Sequence, residues 1–251
     1  MTDILISADK IGFAVPVFKP HEEKISANPL KLMTNFYSNR SKREIRHLIS
    51  DISFELKPSE GLGIIGRNGA GKTTLLRTIC GVYKHNSGQM TINGQAQGLF
   101  DFKMGMRADA TGTENIYLRG IQMGLPIKKI KELLPEFVEF AGIGTAIFDV
   151  FSTYSTGMKL RLAAAISTMI SPEILVLDEW VGSGDADFNK KLNKRMDAII
   201  EDSHGLILAS HTESLVRSLC SNVLVLHQGR CKFYGPTNEG YEYYRENYTD
   251  L

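Results

Sequence analysis

The chain has 251 residues, with 29 Lys and Arg against 28 Asp and Glu, for a net charge of +1. Hydrophobic residues make up 43% and charged residues 23%, which excludes wholesale disorder and leaves enough apolar material to bury a core without a disulfide or metal staple. The net charge argues against a strongly basic nucleic-acid binder, though not against a local basic patch. The three cysteines, Cys80, Cys220 and Cys231, lack CxxC spacing, which rules out a disulfide framework and a Cys-rich zinc site and fits a reducing compartment.

No apolar run reaches the roughly 18 residues that a membrane helix needs. Met1–Lys10 carries Asp3 early and has no basic start followed by an apolar stretch, so a secretory signal is not expected. The expected location is cytoplasmic, with any work at a membrane done through partners.

In chain order, the first buried strand is expected at Ile4–Ala8. Residues 20–47 are polar and basic, with Lys31, Arg40, Lys42, Arg43 and Arg46 against Glu44. They read as a solvated loop joining two strands, with a nucleic-acid or lipid-headgroup contact as the other reading. Further short apolar runs follow at Ile52–Leu56, Gly61–Ile65, Ile174–Leu177, Leu206–Ser210 and Val223–His227. Runs of this kind are typical of strands covered on both faces in an α/β protein. Helical patterns alternate with them at Lys72–Cys80, Met158–Met169 and Asn189–Glu201. Between Gly98 and Thr153 the pattern is helical, at Asn115–Met123 and Ile127–Phe140, with no clear strand; Pro135 predicts a kink or a new helix start.

Gly66-Arg67-Asn68-Gly69-Ala70-Gly71-Lys72-Thr73, followed by Thr74, matches the phosphate-loop pattern in full. The expected strand precedes it and a helix follows. Glycines let backbone N–H groups turn inward around phosphates, and the new helix points its positive end at the anion. Lys72 can reach the β- and γ-phosphates, and the Thr73 hydroxyl can face Mg²⁺. About a hundred residues on, by the usual order of such motifs, Ile174-Leu175-Val176-Leu177-Asp178-Glu179 is an apolar run ending in two acids. It delivers Asp178 to the sheet edge where ligands sit, as a second Mg²⁺ partner, with Glu179 as general base for an attacking water.

With these motifs the chain resembles the ATP-binding cassette of ABC transporters. Tyr154-Ser155-Thr156-Gly157-Met158, followed by Lys159-Leu160-Arg161-Leu162-Ala163, is similar to the family signature Leu-Ser-Gly-Gly-Gln with two positions altered. Ser155 and the Gly157 backbone lie at an expected helix start and can bind an anion; the resemblance implies that they cap the γ-phosphate held by an opposite subunit. It also implies that His211, after Ser210, is the switch histidine, and that Asp185 belongs to the inter-subunit aspartate loop. The family's glutamine is not evident; Asp101 stands in that neighbourhood as a Mg²⁺ or water ligand, with Gln97 as the alternative. For the aromatic that stacks on adenine, Phe18 and Phe13 are the candidates, with Phe18 preferred.

The resemblance covers about Ile4 to Gly235 and fits best the branch that exports lipid-linked polysaccharides such as O-antigen, capsule or teichoic acid chains. Residues Thr111-Gly112-Thr113-Glu114-Asn115 and Gly184-Asp185-Ala186-Asp187-Phe188 also carry it. The fold implied is an α/β phosphate-loop NTPase core with an inserted α-helical subdomain, as a single ATP-binding domain over 1–251. Residues 1–97 and 171–235 would form the core, 98–170 the helical subdomain, and 236–251 a short C-terminal tail. The implied activity is that of an ATPase motor using ATP and Mg²⁺. It would work as a homodimer on integral membrane permease subunits, peripherally at the cytoplasmic face of a bacterial inner membrane, with a lipid-linked polysaccharide as cargo and no nucleic acid as partner.

Overall fold

A computed structural model of the chain describes residues 4–18, 43–99, 105–179 and 185–248. The strands are β1 (Ile6–Phe18), β2 (Arg43–Leu56), β3 (Glu60–Ile65), β4 (Ser87–Ile92), β5 (Ala96–Leu99), β6 (Ile174–Asp178), β7 (Gly205–Ala209), β8 (Asn222–His227) and β9 (Arg230–Pro236). The helices are α1 (Lys72–Ile79), α2 (Gly112–Gln122), α3 (Ile127–Ala141), α4 (Thr156–Ser167), α5 (Ala186–Asp202), α6 (Glu213–Leu219) and α7 (Thr237–Tyr248). The described strands form one sheet in the order β4-β1-β2-β9-β8-β3-β7-β6-β5.

The centre of this sheet is parallel: β3 pairs with β7 and β8, and β6 with β7 and β5. Its strands are apolar throughout because both faces are covered. On one face Leu175, Leu177, Leu206, Leu208, Val223 and Val225 pack against α5, α6 and α7 through Leu192, Ile199, Val216 and Tyr241. On the other, Ile174, Val176, Ile207 and Leu224 pack with Leu75, Leu76 and Ile79 of α1 and with Ile49 and Ile52 of β2. Each such side chain contributes about 1.5–3 kcal/mol on burial, so the central strands are fixed firmly and their C-terminal ends form a rigid edge.

The other wing is antiparallel, with β1 between β2 and β4. Here the expectation of strands buried on both faces fails: over Asp51–Leu56, exposed and buried residues alternate, with Ile52, Phe54 and Leu56 inward. Strand β1 also runs far beyond Ala8. Register shifts between Ala8 and Ala14 and a left-handed Lys10 (φ 49) break the alternation that would have marked it. Strands β4 and β9 escaped the sequence reading for a related reason, being half-exposed with mixed polar residues.

Residues 105–167 hold a third cluster, in which Ile116, Ile130, Phe137, Ile147, Phe151 and Tyr154 meet Leu162 and Ile166 of α4. Helix α4 therefore serves two cores, since its Ala163, Ala164 and Ala165 pack in the cluster on one face of the central sheet. Thr111 caps α2 in a reciprocal box with Glu114. The buried Asn115 accepts from the Arg107 amide at 2.7 Å and donates to the carbonyls of Arg107 and Thr111, each at 3.0 Å. Pro135 does not start a new helix; α3 continues through it from Ile127 to Ala141, with Ile130 and Phe137 buried on either side.

The segment expected as a tail after Gly235-Pro236 is helix α7. Thr237 is buried and its hydroxyl donates to the Cys220 carbonyl at 2.6 Å. A methyl group on Gly240 would fall 2.1 Å from a Val223 methyl, so the helix lies flush on β8.

Candidate functional site

The register of the parallel strands assembles the site. Ile64 of β3 pairs with Ala209 of β7, and Ala209 pairs with Asp178 of β6. Three strand ends thus share one edge, and the chain that leaves each carries a polar residue. From β3 comes the loop Gly66–Thr73, in which Gly66, Gly69 and Gly71 have φ of 155°, 78° and 106°. From β6 comes Glu179, itself left-handed at φ 66° and tied by its amide to the Ala209 carbonyl at 2.8 Å. A non-glycine residue in that conformation is strained and held by its surroundings. From β7 come Ser210 and His211.

Residues Asn68 to Thr74, Asp178, Glu179 and His211 line one cavity of about 480 Å³. The Lys72 ammonium, nearly buried, donates to the Gly66 carbonyl at 2.8 Å and the Arg67 carbonyl at 3.3 Å, and meets His211 Nε2 at 3.4 Å. Burial pushes its pKa below the usual lysine value, while Asp178 and Glu179 pull it back up. Thr73 Oγ1 donates to Asp178 Oδ2 at 2.6 Å. Glu179 Oε1 stands 3.6 Å from His211 Nε2, with both side chains more than half exposed. An ammonium is only a donor, so His211 meets Lys72 through an Nε2 lone pair; the same nitrogen faces Glu179 as a donor only when it carries a proton.

The loop is braced from behind. Gln228 and Gly229, both with positive φ, turn β8 into β9. The Gly229 amide donates to the Ala70 carbonyl at 2.8 Å, and its carbonyl accepts from Ser50 at 2.8 Å. A methyl group on Gly229 would sit 2.4 Å from the Leu48 carbonyl oxygen. The Gln-Gly pair between two apolar runs is a turn signal that the sequence reading did not use.

Ser155 and Gly157 lie apart from the residues lining this cavity, at the head of α4. The Ser155 side chain accepts from the Met158 amide at 3.2 Å as N-cap; its own hydroxyl proton remains available, and the first helical amides have no intrahelical acceptor. Asp185 caps α5, accepting from the Phe188 amide at 2.8 Å, and is ion-paired with Arg161.

The Phe18 side chain, Asp101, Lys31, Arg40 and Lys42 lie outside the described residues. Gln97 is half-buried in β5, paired with Leu175. Phe13 packs against the core and stacks on Tyr83, with ring centroids 4.9 Å apart.

The family model for ABC transporters matches residues 49–182. The teichoic acids export ATP-binding protein TagH of Bacillus anthracis is 39% identical over 223 residues, which cover 89% of this chain and 40% of that protein. The chain thus spans well under half of that relative's length. The O-antigen export system ATP-binding protein RfbE of Yersinia enterocolitica is 34% identical over 231 residues, covering 91% of this chain and 96% of that one. In fold, the chain is similar to a solved ATP-binding subunit of an ABC transporter, with a TM-score of 0.68 at 19% identity, over 96% of this chain and 93% of that one. The phosphate loop, the paired strand ends beside it and this shared architecture agree: the chain belongs to the ABC transporter family and carries its ATP-binding domain.

Proposed function

We propose that this chain is the ATP-hydrolysing motor of an exporter of a lipid-linked polysaccharide, of the O-antigen or teichoic acid kind. The observation that carries the catalytic half is the Thr73–Asp178 contact at 2.6 Å, within one cleft with Lys72, Glu179 and His211. The phosphates of ATP fit the inward-turned amides of Gly66–Thr73 and the Lys72 ammonium. The hydroxyl and carboxylate oxygens of Thr73 and Asp178 are a donor set suited to Mg²⁺. When bound, Mg²⁺ would neutralise charge on the β- and γ-phosphates.

Glu179 orients a water toward the γ-phosphorus and takes its proton as the new P–O bond forms. The bond from phosphorus to the bridging oxygen breaks, and ADP and phosphate leave. His211 holds the edge of the site between Lys72 and Glu179. Ser155 and Gly157 serve a second copy of the chain, capping the γ-phosphate of its nucleotide, with Asp185 at the same seam. Hydrolysis in a lone copy is therefore slow, because closure of two copies completes the site.

The cargo and the membrane partner rest on the two relatives. No helix among the described residues is long and apolar enough to cross a membrane, so in this reading force passes to separate permease subunits. The region from Arg107 to Thr153 offers them a surface: Phe148 is 70% exposed, and a hollow is lined by Arg107, Asp109, Glu114 and Tyr117. The assembly works at the cytoplasmic face of the membrane.

The test is the solution mass of Glu179→Gln with and without Mg-ATP. The expected result is an ATP-dependent shift from one copy to two, abolished by Ser155→Arg, with turnover down about 10²-fold or more. Rapid turnover by Glu179→Gln would remove the role given to that carboxylate. Recruitment to membranes only when an integral partner is co-expressed tests the exporter half.

A further inference from the structure

Arg161 sits in the second turn of α4, in a stretch otherwise made of apolar and small residues (Leu160, Leu162, Ala163, Ala164 and Ala165). Its guanidinium is ion-paired with Asp185, the cap of α5, and its Cζ lies 5.5 Å from the Phe188 ring centroid. A methyl group on Gly142, at the end of α3, would come within 3.7 Å of Arg161 Nη1. The Asp185 carboxylate divides its work: Oδ1 accepts from the Phe188 amide while Oδ2 faces Arg161. The two side chains are 33% and 47% exposed. An exposed pair of this kind adds little to global stability. What it does is join two helix heads that, among the described residues, no backbone pairing connects.

We propose that Arg161 is a positioning residue: through Asp185 it holds the Ser155–Gly157 head of α4 and the cap of α5 in one fixed arrangement, so that both meet a second copy of this chain as a single face. The proposal rests on the reading of the site as completed by two copies. It deepens that reading by naming the link that aligns the outward half. The neighbouring rings extend the link into the fold. Phe188 packs edge-on against Phe140 at 5.6 Å, and the guanidinium of Arg195 lies 3.9 Å from the Phe140 ring centroid. The heads of α4 and α5 and the end of α3 are thereby gathered around one arginine.

The first measurement is made on the nucleotide-free chain, with its three native cysteines replaced and spin labels at Thr156 and Lys190. The distance distribution should be narrow with Arg161 present and broaden in Arg161→Ala. An unchanged distribution overturns the proposal, whatever nucleotide does. The second is the ATP-driven dimer in the Glu179→Gln background. Arg161→Ala and Asp185→Asn, the latter keeping an acceptor for the Phe188 amide, should each weaken dimerisation about tenfold, and the double variant by no more than either alone, as for two ends of one link. Arg161→Lys should restore part of the loss. The affinity of the single copy for a fluorescent ATP analogue with Mg²⁺ should be unmoved by Arg161→Ala.

Multiplied losses in the double variant, or a fall in that affinity, would show Arg161 acting otherwise and overturn the link. Failure of the Glu179→Gln chain itself to dimerise would instead remove the two-copy reading, while the label distance still decides whether Arg161 ties the two helices.

Discussion

The cleft at the head of α1 and the face formed by Ser155 and Asp185, which we propose as complementary halves of one site, are built differently. Around the cleft, each polar residue leaves a parallel strand that is buried on both sides, and backbone bonds from Gly229 and Ala209 fix the loop and the turn at Glu179. At the outward face, the positions are set by two helix caps and an exposed ion pair. Each contact that shapes the cleft therefore comes from within one copy. In the proposed reading, the outward half waits for the surface of a second copy. On that proposal, rigidity lies where phosphates would be bound, and adjustable contacts where two copies would close and part.

Four changes would break or sharpen this contrast. Lys72→Ala should have the largest effect, since it removes the buried cation that faces the phosphates; a loss of roughly 10²-fold or more in single-copy nucleotide affinity is expected, by the cost of deleting one partner of a buried charge contact. Titration with a fluorescent ATP analogue checks it. Retained affinity would mean that the loop amides alone hold the nucleotide.

Gly229→Ala comes next. The new methyl would meet the Leu48 carbonyl at 2.4 Å in a left-handed residue, and such strain costs about 1–3 kcal/mol. Urea unfolding should report that loss. Nucleotide affinity should fall with it, because Gly229 braces Ala70.

Asn115→Ala should cost about 1–3 kcal/mol by orphaning the Arg107 amide and neighbouring carbonyls. Here the contrast predicts a different partition: stability drops while single-copy nucleotide affinity stays, since none of those bonds reaches the cleft.

The smallest effect concerns pH. Hydrogen bonding by Arg217, then by Arg245, holds the Glu213 carboxyl below its ordinary range. A lowered folded-state value means the stabilisation is present above the unfolded value and lost as pH falls through the folded one. Arg245→Ala should therefore lower stability slightly near neutrality and flatten its decline on acidification. Melting temperatures between about pH 7 and pH 3, spanning the ordinary glutamate range, would reveal it; an unchanged slope would assign the effect to Arg217 alone.

The parallel core was readable because strands buried on both faces are written as short unbroken apolar runs, and Ile174–Leu177, Leu206–Ala209 and Val223–Leu226 have that form. The antiparallel wing was not, because half-exposed strands with register shifts, such as β1, mix polar and apolar residues without a clean period. At Pro135 only the new helix start is overturned: local chemistry permits one, while burial of Ile130 and Phe137 on either side keeps one helix running through the proline. In the site, the phosphate loop, Asp178, Glu179 and His211 were legible from their order along the chain and their place at strand ends. Arg161 and Gly229 were not, since their importance comes from partners 24 and 159 residues away in sequence, Asp185 and Ala70.

The amino-acid sequence by itself determined the phosphate-loop chemistry, because glycines acting through their backbone, and a lysine and a threonine acting through their side chains at fixed spacing, need only a strand before and a helix after. Only the tertiary structure decided how that chemistry is completed. The strand register that sets Asp178 beside Ala209, the hairpin that props Ala70, and the ion pair that joins α4 to α5 are all contacts between distant segments, and local sequence carries no record of them.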